Sequence, residues 1–187
     1  MKARYLLLLL PLLGMRKCER EPVPTFKLPA VTQDGANTMG FVIDGRVWQN
    51  YGWLPYTTGA SDNLRATYSP RYGSKNFSLN AGQIARDVYE NFYLSIDSLT
   101  SIGTYQASKN RLLGVSVRAE RGFVFENKES QTVYSYLYKG STATIVIAKL
   151  DTVEHIIAGT FEGTLRQGND STKLVRITDG RFDVRYQ

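Results

Sequence analysis

Cysteine and histidine are almost absent from this sequence, because its 187 residues contain one of each, Cys18 and His155. A single cysteine excludes a disulfide within the chain. Zinc sites usually need three or four cysteine, histidine or carboxylate ligands, so we expect no metal site here. His155 stands at the start of an apolar, strand-like run, where a structural or exposed histidine is more common than a catalytic one.

The common catalytic motifs are also missing, and nothing indicates a cofactor. There is no glycine-rich phosphate loop, and residues 114–118, "GVSVR", have Arg118 where a nucleophile elbow needs its second glycine. A glycosidase needs only two carboxylates about 5–10 Å apart. Four acidic residues could supply such a pair: Asp44, Glu162, Asp179 and Asp183. Because 17 acidic residues offer many chance pairs, we predict a protein that is not an enzyme and keep a glycosidase-like hydrolase as an alternative.

No apolar run is long enough to cross a membrane as a helix. The longest, Tyr5 to Met15, would span about 16 Å, against about 30 Å for a hydrocarbon core. Lys2 and Arg4 precede it and polar residues follow it, which is the arrangement of an export signal. We therefore predict a signal peptide over residues 1–17.

The residues after the run favour a lipid anchor at Cys18. No small-x-small cleavage site precedes the polar region; instead Cys18 follows, and then "EREPVPTFKLP". This arrangement resembles a bacterial lipoprotein signal, in which the cysteine becomes the first mature residue and carries the lipid. Arg16 and Lys17 stand where such signals have small residues. The alternative is a soluble periplasmic protein whose signal is cut elsewhere.

The positive charge of the full chain comes mostly from its leader. All 17 acidic residues follow Cys18, whereas four of the 23 basic residues precede it, which leaves 19 basic against 17 acidic residues and a net charge of +2. The remaining lysines and arginines are scattered along the chain. We therefore do not expect a nucleic-acid partner.

Residues 18–35 are predicted to form a proline-rich tether and residues 36–187 a single all-β domain. Residues 41–48, "FVIDGRVW", predict a hairpin with strands near 39–43 and 46–49, because Asp44-Gly45 suits a type I′ turn. A second Asp-Gly pair, Asp179-Gly180, predicts another turn. Apolar-polar alternation with turn signals about ten residues apart is typical of an antiparallel β-sandwich, with a β-barrel as the alternative.

One stretch permits a short helix near residues 82–92. Ile84, Val88 and Phe92 recur at four-residue spacing, as on one face of a helix. Gly82 before them and the β-type residues after them favour a hairpin instead. Both interpretations remain open at the level of sequence.

Three stretches carry a family resemblance: "LPAVTQDGANTMGFVIDGRVW" near the start, "AKLDTVEHIIAGTFEGTL", and "ITDGRFDV" at the end. Together they resemble a family of Bacteroidetes cell-envelope lipoproteins of unknown function. Phe41 stands where many members have cysteine, so no role for a cysteine carries over. The resemblance implies an all-β envelope lipoprotein and supplies no catalytic residues.

The sequence "VWQNYGWLPY" is the candidate ligand-binding segment. It contains four aromatic residues within ten positions: Trp48, Tyr51, Trp53 and Tyr56. Aromatic faces suit stacking on sugar rings or contact with a protein partner, although such residues more often fill the core. Tyr134, Tyr136 and Tyr138 alternate, and we predict that they cover one strand face as structural residues.

Together these patterns predict an outer-membrane lipoprotein that faces the periplasm or the cell surface. Its partners would be the membrane, through the lipid, and a glycan or a protein. We expect a non-catalytic binding or accessory module. A purely structural subunit of the envelope is the remaining alternative.

Overall fold

The computed structural model describes residues 24–52, 63–71, 74–111 and 118–187, and within these ranges it is entirely β, with no helix. The all-β prediction is therefore confirmed. The strands that it contains are β1 (Thr38–Ile43), β2 (Arg46–Gln49), β3 (Leu64–Arg71), β4 (Ser74–Ala85), β5 (Val88–Ile96), β6 (Gly103–Gln106), β7 (Ser108–Arg111), β8 (Arg118–Asn127), β9 (Thr132–Ser135), β10 (Thr142–Asp151), β11 (Ile156–Gln167) and β12 (Leu174–Arg185).

The strands form one antiparallel sheet that curls into a half-barrel. Its main path runs β2-β1-β12-β11-β9-β8-β5-β4-β3, while β10 and β6 branch from β11, and β7 pairs with β8. The two ends of the path approach each other. Tyr51, just after β2, forms a parallel bridge with Gln83 of β4, and the amide of Gln187 donates to the carbonyl of Ala66 in β3 at 3.2 Å.

Aromatic side chains fill the interior of the curled sheet. Phe92 stands at the centre of this cluster, with ring centroids 4.9 Å from Phe41 and 5.0 Å from Phe161. Phe123 lies 5.5 Å from Phe92, and all four rings are buried. Truncating such a residue to alanine typically costs about 3–5 kcal/mol, so this cluster holds the strands together more than any single ladder does.

The hairpin predicted at Asp44-Gly45 exists, and so does the one favoured near residues 82–92. Asp44 and Gly45 have φ angles of 46° and 84°, which is the type I′ geometry expected between β1 and β2. In the stretch that permitted a helix, β4 and β5 pair from Phe77–Ile96 to Ala85–Val88. The helical alternative is therefore wrong, because alternation along β5 buries Phe92 and leaves the next residue, Tyr93, exposed.

The second Asp-Gly pair does not form a turn between strands, contrary to the prediction. Asp179 and Gly180 lie inside β12, at a β-bulge: Phe161 pairs with Gly180 but Gly163 with Ile177, so β12 carries one extra residue. Asp179 has a φ of 53°, and a Cβ on Gly180 would collide with the carbonyl oxygen of Phe161. A continuous ladder on both sides of β12 keeps the strand extended, and the Asp-Gly pair absorbs the extra residue locally.

The three alternating tyrosines do not share one strand face. β9 ends at Ser135, so only Tyr134 of the three belongs to the strand. Tyr136 is 3% exposed and joins the core, where its ring lies against Gly122. Glycine there lets the ring approach the backbone, which is why the chain turns inward after Ser135.

The last part of the predicted tether contacts the sheet. Residues 29–37, which we call the N-terminal strap, contact β1, β10 and β12. The carboxylate of Asp183 in β12 accepts hydrogen bonds from four donors in the strap. This part of the predicted tether therefore packs against the domain.

Candidate functional site

Tyr51 lies at a rigid point where the chain leaves the sheet after β2. Its amide donates to the carbonyl of Gly82 at 2.9 Å, and its carbonyl accepts from the amide of Ile84 at 2.9 Å. Its half-buried side chain meets Phe26 edge-on, with ring centroids 5.6 Å apart. Of the four predicted aromatic residues, Tyr51 is the one that the structure describes near the surface.

Asn63, the residue before β3, contacts the backbone at Tyr51. Its Nδ2 donates to the carbonyl oxygens of Tyr51, at 2.6 Å, and Gly52. The carbonyl of Asn63 accepts from the amide of Gly82 at 2.7 Å. Tyr51 and Asn63 are therefore in direct contact, and both are hydrogen-bonded to β4.

Trp48 is a core residue, and the prediction that it belongs to an exposed binding surface is wrong. Its side chain is 0% exposed and its ring stacks on Phe41, with centroids 4.7 Å apart. The reason is strand alternation: β2 is still paired with β1 at Trp48, and this position faces the interior. Trp53 and Tyr56, which lie in residues 53–62, and Cys18 fall outside the described residues.

A cluster of hydrogen-bonded polar side chains lies beside Trp48. Glu90 of β5 is its centre, with a side chain only 7% exposed, and Nη2 of Arg46 donates to both carboxylate oxygens at 2.9 and 2.8 Å. Nε1 of Trp48 donates to the same carboxylate at 3.0 Å, and Nδ2 of Asn127 donates to it at 3.3 Å. Four donor contacts thus compensate the buried charge.

Gln83 connects this cluster to Tyr51. Its Oε1 accepts from Nη1 of Arg46 at 3.2 Å, and its Nε2 donates to the carbonyl of Gln49 at 3.1 Å. The backbone of Gln83 also forms the bridge with Tyr51. The half-exposed guanidinium of Arg46 and the half-buried ring of Tyr51 are therefore held by the same residue of β4.

This cluster was not among the predicted sites, although the sequence carries one signal for it. Alternation that buries Phe92 and Leu94 also places Glu90 on the inner face of β5, so a charge stands on an otherwise apolar face. Such a charge predicts a buried partner. Nothing in the sequence identified Arg46, which is 44 positions away, as that partner.

The four carboxylates considered for a hydrolase have different surroundings in the structure. Asp183 binds the strap, and Oδ1 of Asp44 accepts from the amide of Arg176 at 2.8 Å. Glu162 and Asp179 are exposed, on β11 and at the bulge of β12. Among the described residues, no group of three histidine, cysteine or acidic side chains could hold a metal ion.

His155 takes part in a second aromatic cluster that combines distant parts of the sequence. Its ring stacks on Tyr186 with centroids 5.0 Å apart and 28° between planes, and Tyr186 meets Tyr68 edge-on at 5.2 Å. Burial, with a contribution from neighbouring phenols, raises the pKa of Tyr68. The hydroxyl of Tyr68 donates to the carbonyl of Leu99 at 2.8 Å. These contacts give His155 a packing role.

A scan against protein-family models and searches of curated proteins and of solved structures each found no match. The described part of the chain also contains no helix with the length and hydropathy needed to span a membrane. The resemblance to Bacteroidetes envelope lipoproteins therefore stays a prediction from the sequence.

Proposed function

We propose that this chain is an exported lipoprotein of the outer membrane, attached through Cys18, whose β domain is a non-catalytic binding or accessory module. The proposed partner is a glycan or a protein, bound at the surface around Tyr51. The export signal supports the first part, since a basic start, a short apolar run and a cysteine follow one another in residues 1–18.

One observation carries the binding part of the proposal: the backbone at Tyr51 forms a fixed base for its side chain. Tyr51 and Gly52 are hydrogen-bonded to Asn63, and Tyr51 is bonded to β4 on both sides of Gln83. Binding residues are often found on loops that a rigid scaffold positions. A base of this kind lowers the entropy lost on binding, because the flanking backbone is already ordered.

Attachment is tested by feeding an alkyne analogue of palmitate to cells that produce the protein. The wild type is expected to incorporate the label, and Cys18→Ser to lose it. Label in both proteins, or in neither, would contradict the lipid anchor. Protease treatment of intact cells then distinguishes a surface-facing domain, which is cleaved, from a periplasmic one, which is protected.

Binding is tested with a photo-crosslinking amino acid at position 51. Tyr93, which is 38% exposed on β5, is a matched control position because it is also a surface tyrosine. We expect one dominant crosslinked product at position 51 and none at position 93. On a glycan array, Tyr51→Ala should bind at least about tenfold more weakly than Tyr93→Ala if the partner is a glycan, since a lost stacking contact is worth about 1.4 kcal/mol or more. Equal crosslinking and equal loss of glycan binding at positions 51 and 93 would exclude the surface around Tyr51 as the binding site.

A further inference from the structure

Asp183 is a surface-side carboxylate that the N-terminal strap has buried. Its neighbours in β12, Phe182 and Val184, belong to the core, so Asp183 points to the opposite, outer face of the sheet. It is nevertheless only 1% exposed. The strap, residues 29–37, is what covers it.

The carboxylate of Asp183 is surrounded by donors from one short segment. The hydroxyl of Thr32 donates at 2.7 Å, and the consecutive amides of Asp34, Gly35 and Ala36 donate at 2.9, 2.8 and 3.1 Å. Gly35 has a φ of 72°, a conformation that favours glycine, and it lets the amides converge. Successive amides that converge in this way form an anion-binding concavity.

Basic side chains of the sheet hold the carbonyl groups of the same strap. Nη1 of Arg181 donates to the carbonyl of Pro29 at 3.4 Å, Nζ of Lys149 to that of Gln33 at 3.0 Å, and Nη2 of Arg185 to that of Asp34 at 3.3 Å. The sheet therefore offers an acceptor for the amides of the strap and donors for its carbonyls. A flexible tether would not find hydrogen-bond partners for both its amides and its carbonyls.

We propose that the strap is a latch, closed by Asp183, that fixes where the chain leading to Cys18 leaves the domain. Before the strap, Phe26 contacts Tyr51. With the latch closed, Phe26 is eight positions along the chain from Cys18, a span of at most about 28 Å. With the latch open, Asn37 is nineteen positions from Cys18, a span of up to about 65 Å.

The latch therefore sets the distance between the domain and whatever holds Cys18. This consequence rests on the proposed lipid anchor, and it places the surface around Tyr51 within about 28 Å of the membrane. A partner bound there would be a component of that membrane or lie directly against it. The latch itself does not depend on lipidation, so the two proposals can fail separately.

Hydrogen exchange of the full-length chain tests the latch. The amides of residues 34–36 should be protected in the wild type, and Asp183→Asn should speed their exchange by about tenfold or more, since the amide group offers one acceptor in place of two. Glu162→Gln is the matched control, because Glu162 lies on the neighbouring strand β11 and its side chain is exposed. Thr32→Val removes only one donor and should give a smaller increase without loss of the fold.

Pulsed electron-spin resonance measures whether the strap moves. Spin labels are placed at Val31, which is 63% exposed within the strap, and at exposed Glu129 in the turn after β8, in a Cys18→Ser background. The distance distribution should be narrow for the wild-type latch and longer and broader with Asp183→Asn. Unprotected amides in the wild type, or an unchanged distribution in Asp183→Asn, would overturn the latch. Failure of palmitate labelling alone would remove the anchor and leave the latch in place.

Discussion

The ion pair between Arg46 and Glu90 should be far more sensitive to loss of the arginine than to loss of the acid. The Arg46 side chain is 47% exposed and that of Glu90 is 7% exposed. Glu90→Gln leaves a guanidinium that water can still solvate, whereas Arg46→Met leaves a carboxylate that water barely reaches. In the second case, among the described residues, Trp48 and Asn127 remain as donors to the buried charge.

The expected costs follow from this asymmetry. Removing one partner of a buried pair typically costs about 3–5 kcal/mol, and we expect about 3 kcal/mol for Arg46→Met because two donors remain. For Glu90→Gln we expect about 1–2 kcal/mol, because one hydrogen-bonded acceptor is retained and the arginine is half in water. The double variant Arg46→Met/Glu90→Gln should be more stable than Arg46→Met alone by about 1 kcal/mol, since it no longer buries an unpaired charge.

Urea unfolding at pH 7, followed by far-UV circular dichroism, gives the three free energies of unfolding. Equal m-values would show that the variants unfold through the same change in exposed surface. A larger cost for Glu90→Gln than for Arg46→Met would contradict the expected asymmetry. A double variant that loses the sum of the two single costs would also contradict it, because the residues would then act independently.

Three further outcomes are expected. Burial alone would raise the pKa of Asp183, but its four hydrogen bonds outweigh this and lower the pKa. The stability that Asp183 adds is therefore complete above about pH 3.9 and is lost as the pH falls through the lowered pKa. In urea titrations at pH 3–6, the difference in unfolding free energy between the wild type and Asp183→Asn should shrink below about pH 3.9, and a constant difference would contradict this. Gly180→Ala should lower the free energy of unfolding by about 2 kcal/mol or more, because its Cβ collides with Phe161. Gly45→Ala, which has open space around its Cβ but a φ of 84°, should lower it by about 1 kcal/mol in the same assay. Trp48→Phe should cost about 2 kcal/mol and remove the blue-shifted part of the tryptophan emission. An emission that loses intensity but keeps its blue-shifted part would mean that Trp48 is exposed.

The sequence predicts the strands well because alternation and turn chemistry act locally. Asp44-Gly45 lies between two β-type runs of four to six residues, and both residues adopt the left-handed conformation that the turn requires. Asp179-Gly180 carries the same letters but lies within a strand paired on both sides, so the pair becomes a bulge. Local preference for positive φ is the same in both places, and only the neighbouring strands decide between turn and bulge.

The candidate site was harder to predict, since aromatic density along the chain says nothing about which side of a strand each ring occupies. Trp48 and Tyr51 are three residues apart, yet strand pairing continues through Gln49 and ends before Tyr51. Arg46 and Trp48 share the inner face of β2, where both donate to Glu90. Trp48 therefore lies on the inner face with Arg46 and packs beside Glu90, the buried partner of that arginine. The tyrosine beyond the end of the strand is the one that can face a ligand.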